Sequence, residues 1–105
     1  MKDEIQDAID DLKILVLEIE HELNKTNDVK KINYLYRIGI KSRNQLIFHY
    51  RKFPQHHQEL IESLRLCTRI CLLAQSKKKR FVPYIDELDI DNSLRSLKVK
   101  IDENN

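Results

Sequence analysis

One glycine, two prolines and no tryptophan stand in 105 residues, and each shortage removes a class of protein. A many-stranded β fold reverses direction often, and this chain has too few turn residues to do so. A lone glycine also excludes the Gly-rich loops that cradle nucleotide phosphates. Long apolar runs are missing: the densest stretch spans Ile14 to Ile19, far short of the ~18 residues a membrane span needs. Met1-Lys2-Asp3-Glu4 opens acidic and leads into no signal-peptide core. A cytoplasmic protein without membrane contact is therefore expected. Two cysteines, Cys67 and Cys71, do not make a disulfide framework at this size, so reduced thiols are expected.

What is present points to helix. The chain is 41% hydrophobic and 34% charged, too apolar for disorder. Its length fits one domain. The expectation is an all-α protein, an antiparallel four-helix bundle over residues 1–101 with a disordered tail at 102–105. In the first helix, about 3–24, Ile5, Ile9, Leu12, Val16, Ile19 and Leu23 recur on one face. Ile14 and Leu17 lie off that stripe, which predicts contact with more than one neighbour. Asn24 to Asp28 offers caps for a second helix, about 28–51, with Ile32, Leu35/Tyr36, Gly39, Ser42, Leu46 and Tyr50 on its packing face. A mid-helix glycine costs about 1 kcal/mol against alanine, so Gly39 predicts close approach of another backbone.

Phe53-Pro54 breaks the chain, and a third helix, about 54–77, carries Leu60, Leu64, Cys67, Cys71 and Ala74 on one face. A second stripe, Leu66, Ile70 and Leu73, predicts a helix that is central in the bundle or buried in an oligomer interface. The last helix, about 82–100, is expected to be bent or interrupted near residue 90. Phe81, Tyr84, Ile85 and Leu88 follow one phase there, and Ile90, Leu94, Leu97 and Ile101 another.

The net charge of +2 hides a polarity. Residues 1–25 carry eight acids against three bases, whereas 29–80 carry thirteen bases against Glu59 and Glu62. Either the acidic first helix neutralises its basic neighbours or the middle of the chain meets a polyanion. Basic residues one turn apart neutralise phosphates without reading sequence. The candidates are Arg37, Lys41, Arg51 and Lys52 on the second helix, Arg65 and Arg69 on the third, and Lys77, Lys78, Lys79 and Arg80 after it. Tyr34, Tyr36, Phe48 and Tyr50 are interleaved, at spacings that more often belong to a core.

Cofactor chemistry finds little support. Cys67 and Cys71 share a helical face, but structural zinc takes four ligands and no further pair matches; both read as small buried hydrophobes. Asp86, Glu87, Asp89 and Asp91 lack the glycine and closing glutamate of a calcium loop. No cofactor and no metal are expected.

Arg43-Asn44-Gln45-Leu46-Ile47-Phe48-His49-Tyr50 resembles the Arg-Asn…His signature of HEPN-type helical ribonucleases. That resemblance implies a metal-independent ribonuclease or toxin-system component in which His49 moves a proton and Arg43 stabilises a developing phosphorane. Six residues on a regular helix, however, set the two about 120° apart.

A second resemblance covers about 40 residues. Leu64-Arg65-Leu66-Cys67-Thr68-Arg69-Ile70-Cys71-Leu72-Leu73, Ser76-Lys77-Lys78-Lys79-Arg80-Phe81 and Ile85-Asp86-Glu87-Leu88 resemble the C-terminal half of a small four-helix-bundle family. The family includes the accessory variability determinant (Avd) of diversity-generating retroelements and proteins encoded in ribosomal-RNA intervening sequences. The resemblance implies a non-enzymatic homo-oligomer that binds RNA or DNA through basic helices and partners a reverse transcriptase. Arg65, Arg69 and Lys77 to Arg80 are the positions it would use. An accessory nucleic-acid-binding protein is thus the leading expectation. The ribonuclease is one alternative, and a protein-binding regulator of phage or plasmid type is the other.

Overall fold

A computed structural model describes residues 4–78 and 87–103. Four α-helices account for nearly all of them: α1 Glu4–Lys25, α2 Val29–Lys52, α3 His57–Lys78 and α4 Glu87–Glu103. None is long and apolar enough to cross a membrane.

The joint between α1 and α2 follows from local chemistry. Asp28 holds extended backbone, and its Oδ1 accepts the Lys30 amide at 3.2 Å, while Thr26 Oγ1 accepts the Asp28 amide at 3.1 Å. These bonds satisfy amide donors that a helix start otherwise leaves orphaned. At the other end of α2 the Phe53 amide donates to His49 O at 2.8 Å, and Pro54 opens a single 3₁₀ turn, Pro54–His56. His57 braces that corner: its ring stacks on Tyr50 at 4.1 Å and its Nε2 lies 2.7 Å from Tyr50 O. A carbonyl only accepts, so Nε2 carries the proton.

The core follows the apolar stripes. α1 contributes Ile9, Leu12, Val16, Ile19 and Leu23, α2 contributes Ile32, Leu35 and Leu46, and α3 contributes Leu60, Leu64, Cys67, Ile70, Cys71 and Ala74. Three buried hydroxyls lie among them without penalty. Ser42, Ser63 and Thr68 each donate to the carbonyl four residues back, at 3.0, 3.1 and 2.8 Å. α3 is the central helix, packed by α1, α2 and α4. Its two apolar stripes are thus accounted for inside one chain and require no oligomer interface.

α1 touches two neighbours, α2 and α3, as expected, but through its one buried stripe, which leaves Ile14 and Leu17 56% and 53% exposed. Two expectations change. Gly39 is not a site of close backbone approach, since a Cβ there would lie 3.5 Å from Ile70 Cγ2, an ordinary contact. α4 runs unbroken through residue 90 and on to Glu103, so Asp102 and Glu103 are helical where a tail was expected. Ile90, Leu94 and Ile101 form its buried stripe, and Leu88, of the competing phase, is 63% exposed. The rest of that phase, with the expected helix start at 82, lies outside the described residues, as do Asn104 and Asn105.

Candidate nucleic-acid interface

The 24 residues of α2 include seven lysines and arginines and no acid. Its inner face is fixed by Ile32, Leu35, Gly39, Ser42 and Leu46. Helical geometry then sends Lys30, Tyr34, Arg37, Lys41, Phe48 and Lys52 outward in one row, with Arg51 beside it. All seven are exposed. From Lys30 to Lys52 the row is about 33 Å long at 1.5 Å per residue.

The row is mostly not neutralised. Glu22 of α1 meets Lys31 at 2.8 Å, and that pair holds the Glu22 carboxyl below its ordinary range, first by the hydrogen bond and then by the charge. Arg37, Lys41 and Arg51 form no ion pair among the described residues. The acids of α1 therefore leave the outer face of α2 positive. Lys52 Nζ sits 5.0 Å from the Phe48 ring centre, a cation–π approach. Tyr34 and Phe48 are 59% and 52% exposed, whereas Tyr36 and Tyr50 pack against the core. Spacing measured from the inner stripe separates the two outward rings from the two inward ones, so the expectation of core aromatics holds for one pair and not for the other.

The basic residues of α3 are placed differently. Arg65 pairs with Asp91 and ties α4 to α3. Lys77 turns back to α1, donating to Leu23 O and, at 2.9 Å, to Thr26 O. An ammonium there answers the partial negative charge of the α1 C-terminus. Lys78 Nζ lies 5.0 Å from the Tyr36 ring centre. Arg69 is exposed and borders a shallow depression with Glu20, Asn24 and Leu73. Lys79 and Arg80 lie outside the described residues. Arg65, Lys77 and Lys78 thus contact neighbouring helices, whereas the α2 set and Arg69 face solvent.

Arg43 and His49 are not joined by any hydrogen bond or ring contact. Arg43 borders a cavity shared with α3 and α4. The His49 ring lies against Phe48 and Phe53, with centroids 5.7 and 5.9 Å away. Each side chain has one buried nitrogen without a hydrogen-bond partner, Arg43 Nε and His49 Nδ1. Cys67 and Cys71 are buried free thiols, and Cys67 Sγ donates to Gly39 O at 3.3 Å. Among the described residues no three His, Cys, Asp or Glu side chains converge as metal ligands would.

No family model matches the chain, and neither does any curated protein or solved structure.

Proposed function

We propose that this protein is a non-enzymatic nucleic-acid-binding accessory factor that takes single strands along the outer face of α2. The observation that carries the reading is the exposed row Lys30, Tyr34, Arg37, Lys41, Phe48 and Lys52, unopposed by any acid on its own helix. Lysines and arginines neutralise successive phosphates, and exposed rings stack on unpaired bases irrespective of sequence. Arg65 and Lys77 belong to the scaffold in this reading, while Arg37, Lys41, Arg51 and Lys52 carry the binding. The helices form an antiparallel bundle, as short joints between α1, α2 and α3 favour.

Self-association is the second part of the proposal. Ile14 and Leu17 leave an apolar depression of about 390 Å³ on α1, bordered by Glu18, His21 and Glu22. A second copy covering this face would make the homo-oligomer that the family resemblance implies. The choice of a reverse transcriptase as the enzyme served rests on that resemblance of residues 64–88 alone.

The test is binding of single-stranded RNA, single-stranded DNA and duplex DNA across a salt series. Single strands are expected to bind more tightly than duplex. Replacing Arg37 and Lys41 together by Gln should lower the slope of log affinity against log salt by about 1.4, at about 0.7 for each phosphate no longer neutralised. Tyr34→Ala with Phe48→Ala should weaken single-strand binding with little change in slope. No binding at low salt, or a slope untouched by the charge changes, sinks the reading. For the oligomer, light scattering should give a mass above 12.6 kDa that falls to it in Ile14→Asn/Leu17→Asn.

A further inference from the structure

Arg43 faces away from the outer row of α2, across the helix from Lys30 and Lys41. It borders a half-open cavity of about 190 Å³ whose other polar walls are Thr68, Cys71 and Gln75 of α3 and Ser93 of α4, with Leu72 and Leu97 as its apolar lining. Among the described residues no acid lines that cavity. The guanidinium makes no ion pair among the described residues, and its buried Nε has no acceptor. A buried charged donor left unpaired is costly, more so than a neutral one. Neither neighbouring side-chain oxygen accepts from it: Thr68 Oγ1 donates to Leu64 O and Gln75 Nε2 to Tyr36 Oη, but Nε meets no acceptor. The cavity therefore has a fixed positive charge, hydroxyl and thiol groups around it, and no carboxylate among the described residues to balance it.

We propose that this cavity is a binding site for one small tetrahedral oxyanion of the phosphate class, held by Arg43 with Thr68, Ser93 and Cys71 around it. A guanidinium presents parallel N–H groups that match two oxygens of a phosphate. Size selects the free ion over a nucleotide. The cavity has room for about six waters at ~30 Å³ each, whereas pockets for larger ligands begin at about 300 Å³. Charge favours an oxyanion there, since the buried Nε–H has no acceptor among the described residues and a guanidinium pairs two N–H groups with an oxyanion. The adjacent Cys67 thiol, and behind it the charge of Arg43, hold the Cys71 thiol below its ordinary range. A bound anion would offset that pull and make Cys71 slower to alkylate. The site is distinct from the outer row of α2 and stands or falls apart from it.

The experiment is a titration with inorganic phosphate against chloride at matched ionic strength and pH, read by melting temperature and by the rate of Cys71 alkylation in a Cys67→Ala background. The wild-type melting temperature should rise along a saturating curve, and alkylation should slow over the same concentrations. Arg43→Met should weaken phosphate binding at least tenfold. Ser93→Leu, which fills the cavity and keeps the charge, should do the same and decides the matter if Arg43→Met fails to fold. Arg37→Gln/Lys41→Gln should retain the saturating response even where nucleic-acid binding is lost. Phosphate also strengthens burial in general, without saturating. A linear rise equal in the wild type and the cavity variants, or alkylation indifferent to phosphate, overturns the proposal.

Discussion

Replacing Gly39 by alanine is expected to stabilise the protein, although the residue is buried in the middle of α2 against the central helix. Three quantities decide the sign. Glycine in a helix interior costs about 1 kcal/mol against alanine, because the unfolded chain loses more freedom on folding. The added methyl would rest 3.5 Å from Ile70 Cγ2, an ordinary van der Waals distance, so nothing must move to admit it. Its burial adds up to about 0.8 kcal/mol. The Gly39 carbonyl keeps its bond from Cys67 Sγ, since the substitution leaves the backbone in place. The sum is a gain of about 1 to 2 kcal/mol, or about 4 to 8 °C in melting temperature for a domain of this size. Thermal and urea unfolding followed by far-UV circular dichroism measure it directly. Gly39→Val is the control, because its branched Cγ atoms would reach into Ile70 and reverse the sign. A melting temperature that falls in Gly39→Ala would mean that α2 and α3 approach more closely than the Ile70 distance states, and the reasoning would fail.

Two further outcomes are expected. Lys77→Met should cost about 1 to 2 kcal/mol in urea unfolding, since it strips a charged donor from Leu23 O and Thr26 O; nucleic-acid affinity should stay within about twofold of the wild type, and a large loss would return Lys77 to the binding surface. The Glu59 carboxyl is held below its ordinary range by hydrogen bonds from Lys13 first and Gln6 second. A lowered folded value stabilises above the unfolded pKa and is lost as pH falls through the folded one. Wild type should therefore lose more stability on acidification than Glu59→Gln. The gap should stay within about 1 kcal/mol because the pair is partly exposed, at 37% and 26%. Parallel acid profiles would remove Glu59 from the account.

Much of the bundle was legible from periodicity because the buried stripes of α1, α2 and α3 repeat at helical spacing with few exceptions. Ile9 to Leu23 and Leu60 to Ala74 follow from hydrophobic pattern alone. What could not be read were quantities that depend on a neighbour's position. Gly39 signals a small residue on a packed face, but only the location of Ile70 tells whether the space beside it is tight or open. Ile14 and Leu17 looked like a second contact face, and only the placement of α2 and α3 on the same side of α1 shows that they are uncovered. The basic residues divide for a similar reason. Arg37 and Lys77 carry the same charge in sequence, yet one faces solvent and the other reaches 54 residues back to the end of α1. The Arg43 cavity had no sequence signal, since Thr68, Gln75 and Ser93 acquire meaning only when α4 is laid beside α3.

That last arrangement sets an order of opening. α1, α2 and α3 each pack against both of the others, and Lys77 and the Lys13–Glu59 pair lock α3 to α1. α4 rests chiefly on α3, through Ile90 and Leu94 and the Arg65–Asp91 bridge. Elements with fewer partners open locally at lower free energy than the whole, so amides of α4 should exchange with solvent before those of the other three helices. Ser93 and Leu97 form one wall of the space beside Arg43. Each excursion of α4 therefore moves Ser93 and Leu97 away from Arg43 and reshapes that space, so a ligand held there would in turn slow the exchange of α4 amides.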